Sequence, residues 1–289
     1  MQYGFSIKRK CYLLSVLLMT VWLTGCVQEE FESTPSPAGN GIRFTLTVPD
    51  VNLPSVSSRT MTGTGTAKKE DEIETVDILV FDMSKTPAVF LEWASATEVT
   101  QDLADNSTVS FSAVLSPTTA STCIVVVANK ELDNIVPGFI KGTTTKVEAM
   151  EKMLHAQTGK WLADGSTTDG YTRIPMYGEK VISKITPSMN PITDINMKRM
   201  LARIDIRNNS VTSNFTVEEV YLANYNTTGY IAPAWNTNGQ VTEPAPDTPV
   251  LPTGSGKMTE EGNAILYSVN GNTPYDGEIY TFESLAAGD

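Results

Sequence analysis

Apolar and polar residues alternate from Ile42 to Val48, with Ile42, Phe44, Leu46 and Val48 on one side and Arg43, Thr45 and Thr47 on the other. A period of two puts one set of side chains in a core and the other in solvent, so residues 41–49 predict a half-buried strand. The stretch Ile73 to Phe81 starts in the same way and ends solidly apolar, as a strand running into a sandwich core does. Val109 to Leu115 and Thr122 to Ala128 also predict strands, and Ser116-Pro117-Thr118-Thr119 between them predicts a hairpin connection. From Thr145, a residue suited to capping, Val147, Met150, Met153 and Leu154 recur at three- and four-residue intervals, which is helical spacing. Ile192 to Met197, Leu201 to Ile206 and Phe215 to Leu222 return to strand patterning. Many short strands divided by Asn, Gly, Pro and Thr turns predict an all-β chain, mainly β with one or two short helices, folded as Greek-key β-sandwiches.

A domain change falls near residues 190–200, dividing an N-terminal sandwich at 41–197 from a C-terminal one at 198–289. The second has 92 residues, several of them in loops, against about 100 for a closed sandwich. The expectation is a C-terminal domain that is shortened relative to a longer relative.

The N-terminus has a different pattern. Lys8, Arg9 and Lys10 precede a 12-residue apolar run, Tyr12 to Leu23, and then Leu23-Thr24-Gly25-Cys26. A spanning helix needs about 20 apolar residues, so residues 1–25 are expected to be a signal peptide. The tetrapeptide resembles the lipobox of bacterial lipoprotein precursors, which implies lipid on Cys26 and cleavage before it. Residues 26–40, acidic and rich in Pro and Ser, would then tether the fold to the lipid.

Cysteine and charge narrow the picture further. Cys11 would leave with the signal and Cys26 would carry lipid, so Cys123, inside an apolar run, has no partner and is expected to be a buried strand residue. The chain holds 21 basic and 33 acidic residues; loss of the three basic residues before Cys26 leaves a formal charge of −15. Such a surface repels phosphate backbones, which argues against nucleic acid as a partner.

Catalytic material is sparse. His155, the single histidine, is placed by the pattern on the predicted helix. The chain has no phosphate-binding loop, no His-Glu-x-x-His and no Gly-x-Ser-x-Gly. Acidic clusters such as Glu70-Asp71-Glu72 and Glu218-Glu219 read as solvated turns, although a carboxylate pair could in principle serve glycoside hydrolysis. The expectation is a protein that is not an enzyme, with no cofactor and no metal. Trp93, Trp161 and Trp235 are either buried sandwich aromatics or a stacking platform for sugar.

Taken together, the lipobox Cys, the alternating first strand, an Arg in a Ser/Thr/Gly loop, the Ile73–Phe81 strand, Val125 to Asn129, Ile174-Pro-Met-Tyr-Gly178 and Arg199-Met-Leu-Ala-Arg-Ile-Asp205 resemble the FimA-like and Mfa-like fimbrillins, the lipoprotein-derived subunits of type V pili. The resemblance spans residues 23 to about 235 and rests on order and spacing rather than on any single motif. It implies two tandem transthyretin-like sandwiches, an outer-membrane lipoprotein precursor, and a trypsin-like Arg-specific protease that cuts near the N-terminus. The first strand then leaves and a neighbouring subunit supplies another, a form of strand addition. The implied partners are other pilin subunits, the lipoprotein processing enzymes and that protease; the implied role is adhesion at the cell surface, in a fimbria. Carried onto this chain, cleavage falls at Arg59-Thr60 in the polar stretch Ser57 to Gly63, just after a removable first strand and loop at 41–58, and Ile42, Phe44, Leu46 and Val48 belong to the displaced strand. The other reading of Arg59 is an ordinary solvent-exposed loop residue. A surface glycan-binding lipoprotein accessory to polysaccharide uptake is the alternative function; it requires exposed, coplanar indoles and has no use for Arg59.

Overall fold

A computed structural model describes residues 41–47, 70–101, 108–161, 172–206, 216–242, 248–253, 257–258, 264–268 and 275–284. The chain divides into the units Met1–Gly39 and Asn40–Asp289, and every described residue belongs to the second. The strands are, in order, β1 Gly41–Thr47, β2 Val76–Asp82, β3 Val89–Ser95, β4 Thr97–Gln101, β5 Thr108–Val114, β6 Thr122–Ala128, β7 Leu154–Ala156, β8 Met176–Ile182 and β9 Ile192–Asn196. They continue as β10 Lys198–Arg199, β11 Ala202–Ile206, β12 Glu219–Leu222, β13 Tyr225–Asn226, β14 Thr228–Tyr230, β15 Lys257–Met258, β16 Ile265–Ser268 and β17 Tyr275–Thr281. One α-helix, α1 Lys146–Lys152, and a 3₁₀ turn at Val136–Gly138 interrupt them. The protein is all-β, as the patterning predicts.

Two sheets form the sandwich. The first has the order β4-β5-β1-β9 and the second β10-β8-β6-β2-β3. The solid apolar character of β2 and β6 has a plain cause, since both strands are central in the second sheet and that sheet is covered on both faces. Ile78, Val80, Ile124 and Val126 face the first sheet, where they meet Ile42, Phe44, Leu46, Val109 and Phe111 in one core cluster. Leu79, Phe81, Cys123, Val125 and Val127 point the other way, into a second cluster. That outer cluster is closed by Ala149 and Met150 of α1 and by Trp161, and by Met200, Ile231, Tyr280 and Phe282 from later in the chain.

Helix α1 begins where the sequence places it. The Thr145 hydroxyl accepts from the Glu148 amide while the Glu148 carboxylate accepts from the Thr145 amide, a complete capping box. It ends earlier than its spacing predicts, however. Met153 leaves helical geometry, and Leu154 and His155 lie in β7, paired with Tyr230 and Gly229 of β14, because the backbone ladder to β14 captures them. His155 is therefore a strand residue rather than a helical one.

The expected hairpin at Ser116–Thr119 is also corrected. β5 belongs to the first sheet and β6 to the second, so the connection crosses between layers. The carboxylate of Glu92 holds the start of this crossing, accepting from the Ser116 amide and hydroxyl. β9 and β10 make a second crossing in the same direction, and the chain changes sheet at Met197.

β1 lies in the interior of the first sheet, paired antiparallel with β5 over seven positions and parallel with β9. Phe44 stacks on Phe111 with ring centroids 4.9 Å apart and planes inclined by 5°. Because Phe44 is fully buried, Phe44→Ala is expected to destabilise the protein by about 3–5 kcal/mol. Urea unfolding followed by tryptophan fluorescence measures this; a loss under about 1 kcal/mol would mean that the core collapses around the missing ring.

Candidate functional site: the seat of the first strand

Of the residues that sequence reasoning assigns to the displaced strand, Ile42, Phe44 and Leu46 come together on the inner face of β1, exposed by 4%, 0% and 0%. Val48 lies outside the described residues, as do Cys26, Arg59 and Thr60. The seat that β1 fills has two backbone walls and an apolar floor. β5 is one wall, with Val109, Phe111 and Ala113 turned inward opposite Leu46, Phe44 and Ile42. β9 is the other, contributing Ile192 and Ile195. The floor is the inner face of the second sheet. On the outer face Arg43, Thr45 and Thr47 stand opposite Ser112, Ser110 and Thr108, a polar surface that contributes little to burial.

The energetic weight of this strand can be bounded. Each fully buried large apolar side chain is worth about 1.5–3 kcal/mol, so three amount to roughly 5–9 kcal/mol, against a whole-domain stability of about 5–15 kcal/mol. An empty seat would expose the floor and two unpaired strand edges together. β1 can therefore leave only if another strand takes its place, or if the domain unfolds or aggregates.

The segment that follows residues 48–69 is fixed independently of β1. Glu70 is only 3% exposed; both its carboxylate oxygens accept from Arg203 Nη1, at 2.8 and 3.0 Å, and one accepts from the Tyr280 hydroxyl at 2.6 Å. Its carbonyl accepts from Arg199 Nε. Glu70 is thus no solvated turn residue: a cationic partner on β11 and a phenol on β17 compensate its burial. Asn129, at a left-handed φ of 58°, braces the next residues by accepting from the Glu74 amide and donating to the carbonyls of Glu72 and Ile174. None of these hydrogen bonds involves β1, so they hold residues 70–75 without it, while Ile73 packs in the core that β1 completes.

The remaining candidates are structural. Cys123 is fully buried and its thiol is pushed up to about 12, chiefly by burial. Trp161 is buried and its indole donates to the Thr172 carbonyl. The Trp93 indole donates to the Asp77 carboxylate, which also accepts from the Ser95 hydroxyl and the Leu132 amide. Trp235 packs edge-on against Tyr230 at 75°. Trp93 and Trp235 are partly buried against the same outer cluster that holds Trp161, so the three indoles make no exposed coplanar platform for sugar. Among the described residues, no group of three or more His, Cys, Asp or Glu is placed to hold a metal ion.

Residues 42–199 match the sequence profile of a family described as "Major fimbrial subunit protein (FimA)". The matched span begins within β1 and ends with β10, so it coincides with the two-sheet sandwich. No curated protein matches the chain. Among solved structures, the chain is similar to a fimbrial assembly protein from Parabacteroides distasonis ATCC 8503, at 12% identity over 86% of this chain and 79% of that one, with a TM-score of 0.41. It is also similar to a protein from the same strain described as a cell adhesion protein, at 18% identity over 87% and 73%, TM-score 0.46. A third likeness is to a polysaccharide binding protein from Bacteroides thetaiotaomicron VPI-5482, at 10% identity over 66% and 60%, TM-score 0.35.

His155 yields a pH prediction. It packs between Trp161 and Phe282, at 5.0 and 6.5 Å between ring centroids, and burial, with a smaller contribution from Lys130, brings its pKa down to about 4. The folded state prefers the neutral ring, so the stability this provides is complete above the ordinary value of 6.5 and is lost as pH falls toward 4. The urea midpoint of the unsubstituted protein is expected to fall across that window more steeply than that of His155→Phe. Parallel pH profiles would show that His155 does not titrate on unfolding.

Proposed function

Because the chain belongs to the family of major fimbrial subunit proteins (FimA), we propose that it becomes part of a cell-surface fimbria by exchanging its first strand for one from a neighbouring subunit. The precursor is exported as a lipoprotein, acylated at Cys26 and carried to the cell outer membrane with residues 26–40 as its tether. An Arg-specific, trypsin-like protease then cuts between Arg59 and Thr60. The cut also severs the covalent link to Cys26 and its lipid, so the membrane anchor goes with the first strand when that strand is exchanged.

The observation that carries this reading is the position of β1: its three inward side chains complete the core, and it precedes a segment, 70–75, that is held by its own bonds. A cut between them leaves β1 attached through non-covalent contacts alone. Arg43 is a poor site for that cut, because β1 is paired on both edges and a protease needs an extended, unpaired backbone. The incoming strand needs apolar side chains at alternate positions, with an aromatic one opposite Phe111, and it runs antiparallel to β5 so that the β9 ladder is parallel. In the assembled fimbria the role is structural, and adhesion arises from the outer surface of the fibre.

Arg59→Ala is expected to leave the precursor folded and acylated while abolishing both the shift to the processed size and the ladder of polymers on non-boiled gels. Processing and polymerisation at the unsubstituted rate would refute Arg59 as the activating site.

A further inference from the structure

Strand exchange raises a question about the far wall of the seat. Among the described residues, β9 pairs with β1 alone, so departure of β1 removes the whole backbone ladder that holds β9 in the first sheet. The Met197 amide loses its acceptor at the same time, since it donates to the Thr47 carbonyl. A wall that drifted away would leave an incoming strand only the β5 edge to pair with.

Two residues of β8, in the opposite sheet, reach across the sandwich to β9. Gly178 lies so close beneath it that a Cβ added there would sit 2.6 Å from Met197 Sδ, 2.9 Å from Ile195 Cγ2 and 3.1 Å from the Asn196 carbonyl. The absence of a side chain at 178 is what lets Ile195 and Met197 seat in the core. Two positions on, the Lys180 ammonium donates to the Thr193 carbonyl and lies 3.4 Å from the Asp194 carboxylate. These are the residues of β9 where its ladder with β1 is interrupted: Asp194 has a left-handed φ of 58° and the register shifts between Phe44 and Leu46. Lys180 therefore satisfies a carbonyl at the interruption. β8 itself is fully paired with β6 over seven positions, with Gly178 opposite Val126 and Lys180 opposite Ile124, so this contact arises from a fixed strand.

We propose that Gly178 and Lys180 form a clamp that keeps β9 in place as the second wall of the seat while β1 is absent, and so make the seat competent to receive a strand from another copy of the chain. The clamp rests on the strand-exchange reading. With β1 present, the ladder and the clamp are redundant and Lys180 contributes little; with β1 gone, the clamp acts beside the core packing of Ile192 and Ile195 and the β10–β8 pairing as what holds β9 in place. Lys180 and Gly178 are positioning residues, because neither contacts the incoming strand.

The test uses the full chain from Cys26, with a long-specificity protease site introduced within residues 50–58 so that cutting does not depend on Arg59. After cutting, a fluorescent peptide of residues 41–49 is added and its uptake followed by anisotropy. The unsubstituted chain is expected to take up the peptide. Lys180→Met is expected to weaken uptake about tenfold, Lys180→Arg to restore it to within about threefold, and Gly178→Ala to weaken it further, which corresponds to about 1.4 kcal/mol for each tenfold step. The uncut Lys180→Met chain is expected to keep its thermal midpoint, which a merely structural role would lower. Uptake by the Lys180→Met and Gly178→Ala chains equal to that of the unsubstituted chain overturns the clamp alone. Failure of the unsubstituted chain to take up peptide overturns strand exchange, and the clamp with it.

Discussion

The structure depends on one constraint: the first sheet cannot close its core without a strand between β5 and β9. Phe44, stacked on Phe111 within the first sheet and flanked by Ile42 and Leu46, packs with Ile78, Val80, Ile124 and Val126 of the second sheet, and the backbone of β1 satisfies strand edges in both directions. Those two demands coincide in β1, which makes the position intolerant of vacancy. Replacement of β1 is the step proposed above, and backbone ladders are indifferent to which polypeptide supplies them.

The rest of the molecule takes little of its support from β1. The second sheet is buried on both faces and takes no part of its backbone pairing from β1, so it serves as a fixed floor. The outer cluster under α1 draws in segments from as far along the chain as Phe282. Glu70, held by Arg203 and Tyr280, ties the start of β2 to β11 and β17 rather than to β1. Loss of β1 thus strikes the first sheet and spares the anchor points around it. The family's subunits are structural parts of a fimbria, and the proposed exchange of a core-completing strand is suited to that use.

Much of this was legible in the sequence, and what was not has physical reasons. Half-buried strands carry alternation, so β1 and β5 stood out; strands covered on both faces carry unbroken apolar runs, so β2 and β6 did too. Thr145 marked the start of α1. Periodicity says which face of a strand is buried but not which sheet it joins, and Ser116–Thr119 therefore looked like a hairpin although it crosses between layers. β4 escaped notice because Thr97–Gln101 is a polar edge strand with a register shift and a left-handed Glu98. Helical spacing ran on into Leu154 and His155 because tertiary pairing with β14, invisible in a local window, overrides it. The buried role of Glu70 rests on Arg203, 133 positions away, and no local signal announces such a partner. For Gly178 the one available signal was a glycine within a strand, which often marks close approach of another backbone.

Exchange of β1 is the central claim, and it is tested most directly by preventing that strand from leaving. Thr45 and Ser110 face each other across β1 and β5 with outward side chains, so a chain carrying Thr45→Cys and Ser110→Cys can be closed by a disulfide without disturbing the core. The oxidised protein, cut by the Arg-specific protease, is expected to remain monomeric and to keep its N-terminal piece, and a reductant is expected to restore polymerisation to the unsubstituted rate. Polymerisation of the oxidised protein as fast as the reduced one would contradict that claim.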